Sequence, residues 1–383
     1  MGQDVDFPGL ADGVRSRFLD DVNGLRVHIL ESGHVGSGRP LVLLLHGFPE
    51  LAFSWRKVLA PLADAGFHVV APDQRGYGRT TGSDVTDLAS FRIDNLAGDA
   101  LALIRALGFD RAHLVGHDFG SVVAGSATLG DQRVIRSLTM MSAPFAGTGN
   151  LKSSAELDTA LRALSPPRRH YQHYFAGTTS ASDLADAPQG IADFLRAYFH
   201  MKSADWPGNA DAGELPGSTA QDLALLPRYY VMDAHVSMPE TVAPHLPSSQ
   251  QRAKCEWLTD DELNFYAQEF SRTGFQGALN WYAARTLPNP VPRSDSRIEV
   301  PTQFIAGRSD WGVWQSPGAL RTMAEVVCAR FAGSALIPDA GHWVQQEQPR
   351  PVIEQISRFL GDAEIGRSGF PFPASVRNRD EAG

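Results

Sequence analysis

Cysteine is nearly absent from this chain: Cys255 and Cys328 are the only two in 383 residues. Two cysteines make neither a disulfide framework nor a metal cluster, and no metal is assigned. Long apolar runs are missing too. The longest aliphatic stretch, Leu41 to Leu45, falls far short of the ~20 residues that cross a bilayer, so no membrane partner is expected. Nor is there a basic excess: 34 Lys+Arg against 43 Asp+Glu leave a net charge of −9, which argues against a nucleic-acid partner. The opening MGQDVDFPGL has no apolar signal region, and Asp6 breaks the myristoylation pattern, so a cytoplasmic protein is the expectation. What remains is a globular composition, 43% hydrophobic and 20% charged. The length calls for a large domain with an insertion, or for two domains.

The first 146 residues alternate strand-like and helix-like segments. Strands are expected at 25–31, 41–45, 68–72, 112–116 and 136–142, the second a continuous apolar run of the kind buried on both faces. Helices are expected from Trp55 to Asp64, over 91–107 and from Gly120. In 91–107, Ile93, Leu96, Ala100, Leu103, Ile104 and Leu107 fall at three- and four-residue steps, and Gly108 stops the run. From 147 to 285 strand-like runs vanish, and aromatic and acidic residues recur at helical spacing. Two more strands (300–306 and 334–338) and a closing helix (350–360) follow. This pattern reads as α/β, a mostly parallel sheet flanked by helices, with core 1–146 plus 286–383 and a helical insertion at 147–285. The tail 366–383, rich in Gly, Pro and charge, is expected to wrap loosely or fray.

Chemistry concentrates at four strand ends. The run AHLVGHDFG (112–120) is an apolar strand that ends in Gly116-His117-Asp118-Phe119-Gly120. Small residue, x, nucleophile, x, small residue is the pattern of a tight strand-to-helix turn that exposes a nucleophile. Aspartate stands where a serine hydrolase carries serine. A carboxylate needs no base to activate it, and it displaces at an sp³ carbon to give an ester whose carbonyl water can then attack. Serine-type ester or lactone hydrolysis is correspondingly disfavoured.

His46-Gly47-Phe48-Pro49 follows the buried strand 41–45. In nucleophile turns of this kind one oxyanion donor comes from such a loop and the other from the residue after the nucleophile, here the N–H groups of Phe48 and Phe119. A general base is expected late in the chain, and His342, in Asp339-Ala340-Gly341-His342-Trp343, has the strand-end position among twelve histidines. Its orienting carboxylate is assigned to Asp310, after strand 300–306, with Asp339 as the alternative.

Together, HGFPE (46–50), DQRGYGRT (73–80), GHDFG (116–120), Asp310 and GHW (341–343) resemble the α/β-hydrolase superfamily and, within it, the soluble epoxide hydrolases. The resemblance spans the chain apart from its first ~20 residues and the tail. It implies an α/β-hydrolase fold with a helical cap inserted after the sixth strand. Two stretches of the insertion look like the family's cap motifs: His170-Tyr171-Gln172-His173-Tyr174-Phe175 and Leu279-Asn280-Trp281-Tyr282. They imply two catalytic phenols, Tyr171 and Tyr282, with Tyr174 replacing Tyr171 if the helix is rotated. A phenol donates to the opening oxygen without being ionised at neutral pH. Trp281, Trp311 and Trp343 are assigned to substrate contact. The implied partners are a small epoxide and water, with no metal or organic cofactor; oligomeric state stays open, a homodimer included.

Two competing readings use the same fold. A haloalkane or haloacid dehalogenase would also use Asp118, but such enzymes need side-chain donors for the departing halide, and here Phe48, Phe119 and Val122 stand at those places. A non-catalytic small-molecule receptor would have no need to keep nucleophile, acid, base and both phenols.

Overall fold

The computed structural model describes residues 7–36, 38–147, 155–287 and 297–365. The tail 366–383 lies outside them, as do the first six residues. Ten strands are present among the described residues: β1 (Arg15–Val22), β2 (Leu25–Ser32), β3 (Leu41–Leu45), β4 (His68–Pro72), β5 (Ala112–His117), β6 (Ile135–Met141), β7 (Arg168–His170), β8 (Val231–Asp233), β9 (Thr302–Gly307) and β10 (Phe331–Ile337). Eight form one sheet in the order β1-β2-β4-β3-β5-β6-β9-β10. Its first two pairings, β1 with β2 and β2 with β4, are antiparallel, and the rest are parallel. β3 lies at the centre with all five residues buried, which is what LVLLL without alternation requires.

The strand order fixes where a site can form. From β3 the chain crosses to β4 on one side, then returns past β3 to β5 on the other. Right-handed crossovers running in opposite directions put their helices on opposite faces. Helix α1 (Arg56–Asp64) thus takes one face and α2 (Ile93–Ala106) the other. Helix α3 (Phe119–Gly130) packs on α2 and buries Val123, Ala124 and Ala127. The reversal opens a crevice beyond the carboxyl ends of β3 and β5, the usual ligand position in such sheets.

Two expectations need correction. β1 was not anticipated; its burial alternates poorly because it is a charged edge, with Arg15 and Arg17 both on the buried Glu31 of β2. Charge at an edge protects it from pairing with other chains, and it also erases the apolar signal. With β1 counted, β6 is the sixth strand and the insertion follows it. The insertion is also not free of strands. β7 and β8 pair as a three-residue antiparallel ladder, too short to leave a period in the sequence.

The cap is otherwise helical: α4 (Tyr171–Phe175), α5 (Gly190–Lys202), α6 (Asp260–Thr273) and α7 (Gln276–Ala283) carry the residues that matter below. The buried Arg56 clamps cap to core, donating 2.6 Å to Glu262 of α6 and 2.8 Å to Gln346. Ser54 and Tyr266 share a 2.7 Å hydrogen bond across the same boundary. The closing helix, α8 (Pro349–Glu364), packs on α1. No helix among the described residues is long and apolar enough to cross a membrane.

Candidate active site

β5 runs into a tight strand-to-helix turn. Asp118 sits on it at φ 54°, ψ −121°, a conformation that side chains rarely adopt. The neighbouring glycines make the turn feasible. A Cβ on Gly120 would overlap the carbonyl of Leu45, and one on Gly47 would overlap the Asp118 carboxylate itself. The result is a nearly buried carboxylate, 6% exposed, set over the ends of β3 and β5.

Its two oxygens face different partners. Oδ1 accepts the backbone N–H of Phe48 at 3.2 Å. Oδ2 lies 3.2 Å from Nε2 of His342; that contact is within ion-pair range but off hydrogen-bond alignment, so Nε2 has no hydrogen-bonded partner among the described residues. On the far side of the ring, Nδ1 meets Oδ1 and Oδ2 of Asp310 at 3.0 and 3.2 Å. Asp310 is pinned in turn by the N–H of Gly312 at 2.6 Å. Asp339 is exposed, and Asp310 is the carboxylate that the fold brings to the imidazole. Phe119 opens α3, where the first amides have no intrahelical acceptor.

The electrostatics favour an ionised Asp118. Burial opposes the charge, but His342, Lys202 and His117 outweigh it and hold the carboxyl well below its ordinary range. Asp310 is likewise lowered, burial being overcome by His342, Lys202 and the Gly312 amide.

Two of the groups responsible, His117 and Lys202, and the Glu50 carboxylate that partners the first of them, were not singled out from sequence. His117 Nδ1 lies 2.6 Å from Glu50 Oε2, and its Nε2 lies 2.7 Å from the carbonyl of His342. Both partners are acceptors, so both ring nitrogens carry protons and the ring is a buried cation. Burial works against that charge, but Glu50 and Asp118 raise the histidine above its usual value. Glu50 also accepts from Gln345 at 2.8 Å and Gln346 at 3.0 Å. The third group, Lys202 at the end of α5, is 2% exposed and sits 5.1 Å from the Tyr230 ring centre and 5.3 Å from that of Trp343. Glu50 and His117 lie inside the HGFPE and GHDFG motifs, and a charged residue at a buried strand end was the available signal. Lys202 left none, because a lysine at a helix end reads as a solvated cap.

Above this polar floor is a lattice of rings. Tyr171 opens α4 and Tyr282 lies in α7, with ring centres 6.1 Å apart. Tyr282 packs edge-on against Phe48 at 6.0 Å and Phe119 at 5.5 Å. Tyr171 accepts from Gln172 at 3.1 Å. Burial first, then the charge of Asp118, pushes the Tyr171 phenol above its normal range. Tyr282 is raised by burial and by charges that include Tyr171 and Asp118. Both phenols therefore keep their protons. Tyr174 faces away, donating 3.0 Å to Asp183 under the Arg169 guanidinium, so the rotated-helix alternative does not apply.

The tryptophans divide differently from the expectation. The indole of Trp281 donates 2.8 Å to the carbonyl of Arg75, and that of Trp343 donates 2.8 Å to the carbonyl of Phe199. An indole has no other polar group to offer. Trp343 is fully buried behind the base, 4.7 Å from the His342 ring. Trp311 is half-buried beside Asp310, and its N–H has no partner among the described residues.

A family model described as the alpha/beta hydrolase fold matches residues 40–349. Epoxide hydrolase A of Mycobacterium tuberculosis is 34% identical over 363 residues, covering 92% of this chain and 99% of that protein. Epoxide hydrolase B of the same organism is 30% identical, covering 88% and 96%. Among solved structures, epoxide hydrolase A from Mycobacterium thermoresistibile superposes with a TM-score of 0.71 at 30% identity, covering 91% of this chain and 98% of that one.

Proposed function

The chain belongs to the α/β-hydrolase fold family and to its epoxide hydrolases, and from that premise we propose how its residues divide the work. Asp118 is the nucleophile, His342 the general base, Asp310 the carboxylate that orients it, and Tyr171 and Tyr282 the acids. One observation carries this reading. The Asp118 carboxylate is held between the Phe48 amide on Oδ1 and the His342 imidazole at Oδ2, with Asp310 behind the ring.

In the first step Oδ2 attacks an epoxide carbon and the carbon–oxygen bond opens. The ring oxygen, hydrogen-bonded by the two phenols, takes a proton from one of them. A phenol, even one made less acidic by burial, is a stronger acid than the alcohol formed, so this transfer runs downhill. The product is a hydroxyalkyl ester on Asp118.

In the second step His342 removes a proton from water, and the hydroxide formed attacks the ester carbonyl carbon. Negative charge then gathers on Oδ1, where the Phe48 amide already points and the Phe119 amide is the second donor. Asp310 offsets the charge of the imidazolium. Collapse releases a vicinal diol; the proton on His342 returns to the phenolate. Each turnover consumes one epoxide and one water. The dehalogenase reading gains nothing, since the indole N–H of Trp281 is already engaged and Phe48 and Phe119 offer a halide no side-chain donor.

We take residues 1–146 and 286–383 as the core domain and 147–285 as the cap. We also place the enzyme in the cytoplasm, in keeping with two free cysteines.

Isotope transfer tests the ester directly. In a single turnover in ¹⁸O-water the diol should carry no label and Asp118 should gain one labelled oxygen, read by mass spectrometry of its peptide. Label in the first-turnover diol, with none on Asp118, would mean direct attack by water and would remove the nucleophile assignment.

A further inference from the structure

The cap holds a cavity of about 160 Å³ in which none of the five proposed catalytic side chains takes part. It lies between the last turns of α5 and the segment 247–258. Its apolar wall is made by Phe199, Pro247, Trp257 and Leu258, and its charged wall by Arg196, Arg252 and Lys254. The volume is below the ~300–1,000 Å³ of a drug-sized site, so an occupant is small or only partly enclosed.

Arg196 is the group that points to a ligand. It is 3% exposed. Its Nη1 donates to the carbonyl of Leu258 at 2.8 Å, and its Nη2 to Asp260 at 2.6 Å and the carbonyl of Thr259 at 3.2 Å. Its Nε–H has no acceptor among the described residues. A buried guanidinium N–H without a partner is a costly vacancy in a hydrogen-bond network.

Two further cations stand beside it with little to neutralise them. Arg252 is 3.9 Å from Asp193, beyond hydrogen-bond reach, and Lys254 has no ion pair among the described residues. The single lining carboxylate, Asp205, is already held by the Trp257 indole at 2.7 Å. His200 also lines the cavity; burial lowers its pKa and keeps it neutral.

We propose that this cavity binds a small carboxylate with an apolar or aromatic body, at a site separate from the epoxide centre. The carboxylate accepts from Arg196 Nε under the field of Arg252 and Lys254, and the body lies against Phe199, Trp257 and Leu258. One free buried N–H suits a monodentate carboxylate better than a phosphate, which would need more donors. Phe199 links the cavity to the back of the epoxide site, because its ring lies 4.5 Å from Trp343 and its carbonyl holds that indole. Occupancy is thereby linked to the proposed base through Phe199 and Trp343.

Phenylacetate serves as the probe and neutral phenylacetamide as its control, titrated calorimetrically into the full chain. The acid should bind at least about tenfold more tightly than the amide. It should also slow alkylation of Cys255 by iodoacetamide at alkaline pH. Cys255 lines the cavity, its thiol pushed up to about 11 by burial, whereas Cys328 is 2% exposed and serves as the internal reference. The double variant Arg252→Glu/Lys254→Glu should weaken acid binding about tenfold or more and leave kcat/KM for an epoxide unchanged. Three results would each overturn the proposal: equal binding of acid and amide, competition between the acid and the epoxide, or undiminished binding in the charge-reversed variant. None of them bears on Asp118, so the site can fail while the epoxide reading stands.

Discussion

On the core side of the site each working group is tied by polar contacts, Asp118 to the Phe48 amide, His342 to Asp310, and Asp310 to the Gly312 amide. On the cap side Tyr171 and Tyr282 are held chiefly among rings, with centres 5–6 Å from Tyr230, Phe175, Phe48 and Phe119. Polar ties have narrow geometry and fix charge, so losing one leaves a buried group unpaired. Ring packing is broad and shared among many neighbours. The core half should therefore respond to substitution as an all-or-none unit, and the cap half by degrees.

The sharpest break is expected at His342. In His342→Gln hydrolysis should fall by about 10⁴-fold, while opening of the ring persists because Asp118 remains in place. Mass spectrometry after one equivalent of substrate should find the substrate's mass added to the Asp118 peptide. If the variant turned over slowly with no adduct at any time, the histidine would be serving the first step and the division of labour would be wrong. Removing His342 also takes away the leading interaction that depresses the Asp118 carboxyl, so alkylation in the variant should decline at higher pH than in wild type as acid is added.

The cap should grade. Tyr171→Phe and Tyr282→Phe should each slow alkylation by roughly 10- to 100-fold, and the double variant by more than either, within the ~10²–10⁴ usual for general acids. Pre-steady-state quenching of tryptophan fluorescence separates alkylation from hydrolysis. A double variant that alkylates at the wild-type rate would leave the rings as packing alone.

The same contrast explains what could be read in the sequence. Asp118, His342, Asp310 and Phe48 stand at strand ends, where an apolar run stops at a glycine and a polar residue. Each announced itself locally. The two phenols did not, being two of eight tyrosines that share helical spacing with ordinary core rings, and only family resemblance singled them out. Glu50, His117 and Lys202 were missed because their roles are made by partners 67 to 296 residues away or by position under a ring cage. β1 was lost because its exposed charges break the alternation that marks a strand.

A smaller test concerns acid. Asp73, just past the end of β4, accepts from the amides of Ala52 and Arg79 at 2.9 Å and lies 2.7 Å from His28 Nδ1. Burial opposes its ionisation, but His28 and these amides win and bring its pKa from 3.8 down to about 2. A depressed carboxylate stabilises the fold fully above its unfolded value of 3.8 and loses that contribution as pH falls towards 2. That difference is worth about 2 kcal/mol. Asp73→Asn should cost about that much at neutral pH, and the gap to wild type should shrink to roughly half near pH 3 in urea titrations. The phenols of the cap do not titrate in this window. A gap of constant size between the two pH values would refute the linkage.

The smallest effect should come from Trp281, which belongs to both halves. It sits on α7 beside Tyr282, yet its indole N–H crosses to the core carbonyl of Arg75 and its ring packs on Phe119 at 5.0 Å and Tyr77 at 5.2 Å. Trp281→Phe keeps most of the ring contact and leaves that carbonyl without its donor, at a cost of about 1–2 kcal/mol. If the residue works as a staple between cap and core, the thermal midpoint falls while KM for an epoxide hardly moves. If it works by touching substrate, KM rises and the midpoint stays. The structure favours the staple, because the one polar atom of the indole is spent on the backbone; an unchanged midpoint with an altered KM would return Trp281 to the pocket and shift the boundary between the two halves by one residue.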